Sequence, residues 1–411
     1  MAARMSVPVK TMIYLETRMT GHRPSYLRRV VNIAIKHQYR VLLAMPANCF
    51  EHSVVKQLLE SHPAESLSSI HCSPLDTNRQ SSNVLQMLYD EYCCTRFFNE
   101  AVYAAKKIHA IDLVMAGMFD DASIYSGLVK YDFSGIPWVG VIMRQNFHFK
   151  TMNLIGPPEL RMNSVKKSLL LRFLSSMKKE ACLLTIDRTL KAYIDEYHTG
   201  LANRIEFLPD AVDDRGEISN LDMRSQIGIP ADAVVILCYG TLRENKGIRL
   251  LLGILEQLPD NVHVLLTGTQ HEAIKNYINS ESNKALVQSG RLHQIERYID
   301  VIEDPGFFAT ADIVWIAYKD YYSMSAVLVQ AAQYSTPVIA TQAGLVGKLT
   351  TEFNTGIVVD TTNKLDVLRG INELISSDEN EIRRRYADLV EEHSLDTFEK
   401  RLISSFDKVM V

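Results

Sequence analysis

No run of about 18 uncharged apolar residues occurs in the 411-residue chain, so the sequence offers no membrane-spanning helix. Residues 1–16 lack a long apolar stretch and a small-residue cleavage site, which speaks against a secretory signal. The expected location is the cytoplasm, with the inner face of the plasma membrane the one bilayer surface within reach. Charge of one sign is also missing: 44 Lys and Arg stand against 48 Asp and Glu, a net charge of −4. That balance gives no general attraction to nucleic acid, and any phosphate-binding surface must be local. The six cysteines (Cys49, Cys72, Cys93, Cys94, Cys182 and Cys238) form no C-x-x-C pair. They read as reduced, mostly buried thiols rather than metal ligands.

What is present is length and alternation. At 411 residues the chain exceeds what one hydrophobic core usually serves, so two domains are expected. Apolar runs at Thr11–Leu15, Val41–Met45, Asp112–Ala116 and Trp138–Met143 read as strands. Between the first two, Leu27, Val30, Val31, Ala34 and Ile35 recur at helical spacing within Pro24–His37. A second series follows at Cys182–Ile186, Ile205–Leu208, Val234–Tyr239, His263–Thr267, Ile313–Ala317 and Pro337–Ala340. Near-continuous apolar strands separated by helices predict parallel sheets covered on both faces. The fold class is therefore α/β, with two Rossmann-like domains facing a central cleft. The periodicity breaks between Pro209 and Ile229. We therefore read a first domain over residues 1–208, a second over 209–395 and a last helix over residues 396–411.

Three segments carry candidate chemistry. In Ile236–Gly247 a strand ends at Gly240, a turn holds Thr241 and Arg243, and Lys246 and Gly247 open an apolar helix expected over Ile248–Leu258. Free amides at a helix start attract phosphate, and Lys246 adds a full charge. The turn Thr17–Pro24 offers Gly21 for close backbone approach, with His22 or Arg23 to supply charge. The third segment runs from Ala311 through Tyr322, Ser323, Met324, Ser325 and Gln330 to Gly344, in the order strand, small-residue turn, helix, strand, glycine turn. A serine that merely caps the helix is the plain alternative there. After the fourth strand come Arg144, Asn146 and His148, and after the third Asp120 and Asp121, which have the chemistry to bind ligand hydroxyls.

The order of these segments resembles the family-4 glycosyltransferases, retaining enzymes of GT-B fold, over Met12 to about Leu374. Lys246 and Gly247 match the family's phosphate loop, Leu208–Asp213 its hinge, Gly21 its glycine turn beside the donor pyrophosphate, and Thr336–Ala340 with Gly344 the stretch after the donor helix. Three positions depart. The family's paired glutamates fall on Tyr322 and Gln330, its phosphate-side arginine falls on Thr241 with Arg243 two residues on, and its histidine falls near Met143 beside Arg144.

The resemblance implies transfer of a sugar from a UDP- or GDP-sugar to a glycan or lipid-linked acceptor, as in bacterial surface polysaccharide assembly. Arg144, Lys246 and Arg243 are the catalytic candidates. Gly21, Thr241, Arg243, Lys246 and Gly247 are those for the donor phosphates, and Tyr322, Ser323, Met324, Ser325 and Gln330 those for the nucleotide and sugar. The absence of an Asp-x-Asp motif argues for chemistry without a divalent metal, and no cofactor beyond the nucleotide-sugar substrate is expected. The basic amphipathic stretch Arg161–Lys179 reads either as a membrane-surface helix or as a domain helix with a solvated face. Two rivals stay open: a catalytically weakened binding or scaffold protein, which the missing glutamates favour, and a sugar-nucleotide epimerase or hydrolase that needs no acceptor.

Overall fold

The computed structural model describes residues 10–21, 23–73, 75, 84–122, 133–158, 161–213, 223–300, 303–377 and 386–411. The chain divides into two compact units. The first gathers the described residues of Met1–His148, Glu159–Pro209 and Glu399–Val411, the second those of Phe149–Pro158 and Asp210–Phe398. Phe149–Pro158 lies inside the span that the sequence assigns to the first domain, yet clusters with the second unit. The Gly344 amide donates to the Ile155 carbonyl at 2.8 Å, which ties that segment in place.

The first unit is a seven-stranded sheet: β1 (Lys10–Leu15), β2 (Tyr39–Pro46), β3 (Leu67–Cys72), β4 (Leu113–Ala116), β5 (Trp138–Ile142), β6 (Ala181–Thr185) and β7 (Ile205–Phe207). All pairs are parallel, in the order β3-β2-β1-β4-β5-β6-β7. Met12 to Leu15 and Leu113 to Ala116 are fully buried, as strands covered on both faces must be. The helix Arg23–Lys36 turns Leu27, Val30, Val31 and Ala34 into that core; Ile33 joins them, while Ile35 is only half-buried. Leu15 pairs with Ala116 and Ala116 with Gly140, so β1, β4 and β5 run out side by side.

The stretch Arg161–Lys179 forms the helix Arg161–Ser176. Its Leu170, Phe173, Leu174 and Met177 are buried, and the Phe173 ring packs on Phe119 and Trp138. The apolar side of this helix is thus spent on the protein's own core. Among the described residues no helix is long and apolar enough to cross a membrane. The last helix, Leu395–Met410, packs from Glu399 onward in the first unit. There Phe406 meets Tyr39 edge-on, and Glu399 takes Lys36 and His37.

The second unit repeats the plan with β8 (Val234–Tyr239), β9 (Val262–Thr267), β10 (Leu292–Ile295), β11 (Ile313–Ile316), β12 (Val338–Thr341) and β13 (Gly356–Val359). The order is β10-β9-β8-β11-β12-β13, again all parallel. Both sheets follow the doubly wound strand order, in which ligands sit beyond the carboxyl ends where the winding reverses. Those reversals fall between β1 and β4 and between β8 and β11. In the segment Leu208–Asp213, His393 Nδ1 lies 3.0 Å from the Asp210 carbonyl oxygen, and the Val212 amide donates to the His393 carbonyl. Cys182 and Cys238 are buried in their strands, where desolvation pushes each thiol up to about 12. None of the six cysteines, all among the described residues, forms a disulfide.

Candidate functional site

At the end of β8 the chain turns through Gly240, Thr241 and Arg243 into a short turn, Glu244–Lys246, and then the helix Ile248–Leu252. Thr241 and Arg243 are exposed. Lys246 is held rather than loose: its Nζ donates to the Tyr318 hydroxyl at 2.7 Å and to the Tyr239 carbonyl at 3.5 Å. Its backbone is fixed from below by Trp315 Nε1, which donates to the Lys246 carbonyl at 2.8 Å. Gly247 has φ +71°, and a Cβ there would stand 2.5 Å from the Ala317 carbonyl oxygen, so only glycine lets this loop lie against β11. The helix is shorter than the expected Ile248–Leu258. It ends at Gly253, where propensity is poor, and a separate short turn follows at Leu255–Gln257. Five residues align few peptide dipoles, so attraction for an anion at this loop falls mainly to the Lys246 and Arg243 charges.

The turn after β11 is joined to this lysine through aromatic side chains. Tyr318 meets Tyr321 edge-on at 5.2 Å, and the Tyr321 hydroxyl donates to the Met324 carbonyl. Tyr322 and Ser323 are half-buried, Met324 and Ser325 buried. Ser325 occupies the cap position of the helix Ala326–Gln333, but its side chain makes no capping hydrogen bond. The Tyr322 carbonyl accepts from the Leu345 amide at 3.0 Å, and Gly344 lies so close to the Tyr322 backbone that a Cβ would overlap it.

Gln330 does not point its polar end outward as a ribose contact would require. It is buried, and its Nε2 donates to Asp304 Oδ2 at 3.3 Å, while the Tyr239 hydroxyl donates to Asp304 Oδ1. The carboxylate absent at position 330 is thus present beside it, on a residue far away in sequence. Nothing in the local pattern marks Asp304, Tyr318 or Tyr239 as part of this arrangement.

In the first unit the strand ends carry a buried charge network. Arg23, read as a charge for the Thr17–Pro24 turn, faces inward instead: it pairs with Glu16, and its Nη2 donates to Asp121 Oδ2 at 2.7 Å. His22 lies outside the described residues. Gly21 has φ +66° with open space beside it. Asp121 is wholly buried and also accepts from Thr17 Oγ1 at 2.8 Å and Arg144 Nη2 at 2.9 Å. Asp120 takes the Met143 amide, the Arg144 amide at 3.3 Å and Gln145 Nε2 at 2.9 Å.

Both aspartates therefore serve internal partners, and a role toward acceptor hydroxyls has to run through the residues they hold. Burial raises the Glu16 and Asp120 carboxyls above their ordinary range. Arg144 is exposed and Asn146 half-buried. His148 is fully buried, with Nε2 3.0 Å from both Thr189 Oγ1 and Asp187 Oδ2. Asp187 caps the helix Arg188–Tyr197, so His148 braces that cap rather than facing solvent. Among the described residues no cluster of three or more His, Cys, Asp or Glu could hold a metal ion.

Comparison with known proteins fits this architecture. Sucrose-phosphate synthase from Thermosynechococcus elongatus superposes with a TM-score of 0.68 at 14% identity, covering 97% of this chain and 99% of that one. HepE from Anabaena, solved with UDP and glucose, gives 0.64 at 17% identity over 97% and 99%. WaaG, a glycosyltransferase involved in lipopolysaccharide biosynthesis, gives 0.62 at 14% over 97% and 99%. No curated protein matches the sequence significantly. Residues 219–390, which lie in the second unit, match the family glycosyl transferases group 1. The chain accordingly has the GT-B fold of those structures, and residues 219–390 of its second unit match glycosyl transferases group 1.

Proposed function

We propose that the protein transfers a sugar from a nucleotide sugar, a UDP-sugar before a GDP-sugar, to a glycan or lipid-linked acceptor. The observation that carries this is Lys246, fixed by Tyr318 at the carboxyl end of β8 beside Thr241, Arg243 and Gly247. Departure of a nucleoside diphosphate builds negative charge on its phosphates. A preset cation there lowers the barrier without reorganisation, and removing a comparable donor costs about 10²–10³ in rate. The Gly21 turn stays a candidate for phosphate approach from the first unit, and Arg144 for a charge near the reacting group. UDP is preferred because HepE has been solved with UDP and with UDP-glucose.

Retention of configuration, independence of metal and a place in bacterial surface polysaccharide assembly belong to the same reading. The last is supported by likeness to WaaG. A lipid-linked acceptor would engage the helix Arg161–Ser176 through its cations and the exposed Val165, since Leu170, Phe173 and Leu174 are turned inward. The weakened-enzyme reading draws on Gln330, whose amide is committed to Asp304. Incubation with UDP-glucose, with and without glycan acceptors and with EDTA, separates these readings. Acceptor-dependent release of UDP that survives EDTA supports transfer. Release without acceptor would indicate a hydrolase, and binding without turnover the weakened protein.

A further inference from the structure

The first unit holds a second cationic feature, which the phosphate loop of the second unit does not use. Arg18 follows β1 and Arg144 follows β5. Their Nη2 atoms approach the same oxygen, Asp121 Oδ1, at 3.4 and 2.9 Å. Asp121 sits just beyond β4, between the two in strand order. Its side chain is 0% exposed, whereas those of Arg18 and Arg144 are 35% and 52% exposed. Glu16 and Asp120 are also buried, and Arg23 is spent on Glu16 and Asp121. The carboxylates of this network therefore lie beneath, and Arg18 and Arg144 are the members whose side chains reach solvent.

Position adds an independent argument. The winding of the first sheet reverses between β1 and β4, and Thr17, Arg18 and Asp121 stand beyond those two strands. In open parallel sheets this is where a crevice for ligand forms. Arginine offers paired donors in a rigid fork, suited to phosphate oxygens. A buried carboxylate that holds two such forks side by side removes much of the entropy cost of gathering them.

We propose that Arg18 and Arg144, gathered by Asp121, form an anion-binding fork that takes a phosphate group on the acceptor. Asp121 is the positioning residue and the two arginines make the contact. The word acceptor rests on the transferase reading; the fork itself does not. Two sources of phosphate are to be distinguished, the acceptor and the donor diphosphate. The donor already has Lys246 and Arg243, so the fork is assigned to the acceptor.

The test is calorimetric titration of the full chain with inorganic phosphate, glucose 6-phosphate, glucose and UDP. It is run on the wild type, Arg18→Gln/Arg144→Gln, Arg18→Lys/Arg144→Lys and Lys246→Ala, each checked for an unchanged melting temperature. The expected result is binding of phosphate and glucose 6-phosphate but not glucose, weakened at least about tenfold in the glutamine pair and less in the lysine pair. Lys246→Ala should leave phosphate binding within about twofold while losing UDP. Phosphate binding that is absent in the wild type, or unchanged in the glutamine pair, overturns the fork. Equal loss of UDP and phosphate in the glutamine pair assigns it to the donor and overturns the acceptor proposal, with the transferase reading intact. Absence of UDP binding in every protein, with the fork behaving as expected, would strike the transferase reading alone.

Discussion

The two units share a strand order but fix the loops beyond their strands by different means. In the second unit the fit is largely backbone against backbone. Gly247 lies on the Ala317 carbonyl and Gly344 on the Tyr322 backbone, with Lys246 tethered to the Tyr318 hydroxyl and the Tyr239 carbonyl. In the first unit charged side chains do the fixing: Glu16, Asp121 and Arg144 follow three strand ends, and Arg23 opens the helix after β1. A loop set by close backbone packing tolerates no added atom, whereas a loop set by buried charges tolerates no missing partner. The family match falls wholly in the second unit, where the constraint is written in consecutive residues.

That contrast can be broken most sharply at Asp121. Asp121→Asn leaves Arg23 buried with one carboxylate fewer, and loss of one partner from such a pair costs about 3–5 kcal/mol. A chemical denaturation curve displaced by less than about 1 kcal/mol would mean that the network does not organise the first unit. The corresponding change in the second unit is Gly344→Ala. Its φ of +63° and the overlap with Tyr322 predict a loss of about 1–3 kcal/mol by the same measurement. Stability equal to wild type would show that the backbone there yields freely.

Gln330→Glu sharpens the comparison at the family's departure. It replaces a donor to Asp304 with a second buried carboxylate, so we expect destabilisation of about 1–3 kcal/mol and no gain in turnover. Unchanged stability with raised turnover would mean that position 330 reads the ligand after all. The smallest effect is pH-dependent. Burial raises the Glu16 carboxyl above its reference of 4.5, so its contribution to stability is complete below 4.5 and is lost as pH rises through the raised value. The melting difference between wild type and Glu16→Gln should therefore shift in the variant's favour as pH climbs from 4.5. A shift the other way would mean that pairing with Arg23 outweighs desolvation.

The strands legible in the sequence are mostly the central ones, such as β1, β4, β8 and β11, buried on both faces and apolar throughout. Those missed, β3, β10 and β13, are edge strands. Half-exposed stretches such as Leu67–Cys72 and Leu292–Ile295 mix polar residues into the run and lose the apolar signal. The same division holds at the candidate sites. Lys246, Gly247 and Gly344 were readable because their neighbours in space are mostly neighbours in a known segment order. Arg18, Asp304 and the inward turn of Arg23 were not, because their partners lie 7 to 103 residues away and nothing local announces the pairing. His148 and the two aspartates were read as loop residues facing a ligand, since a sequence does not show which side of a strand end a side chain takes.

The central claim is that the loop from Gly240 to Gly247 holds the donor's phosphates through Lys246. It is tested most directly by calorimetric titration of UDP into the wild type and Lys246→Ala. The account predicts saturable binding to the wild type and affinity at least about tenfold weaker in a variant that melts normally, the loss of one charge-assisted contact. Equal affinity in the two proteins would contradict it.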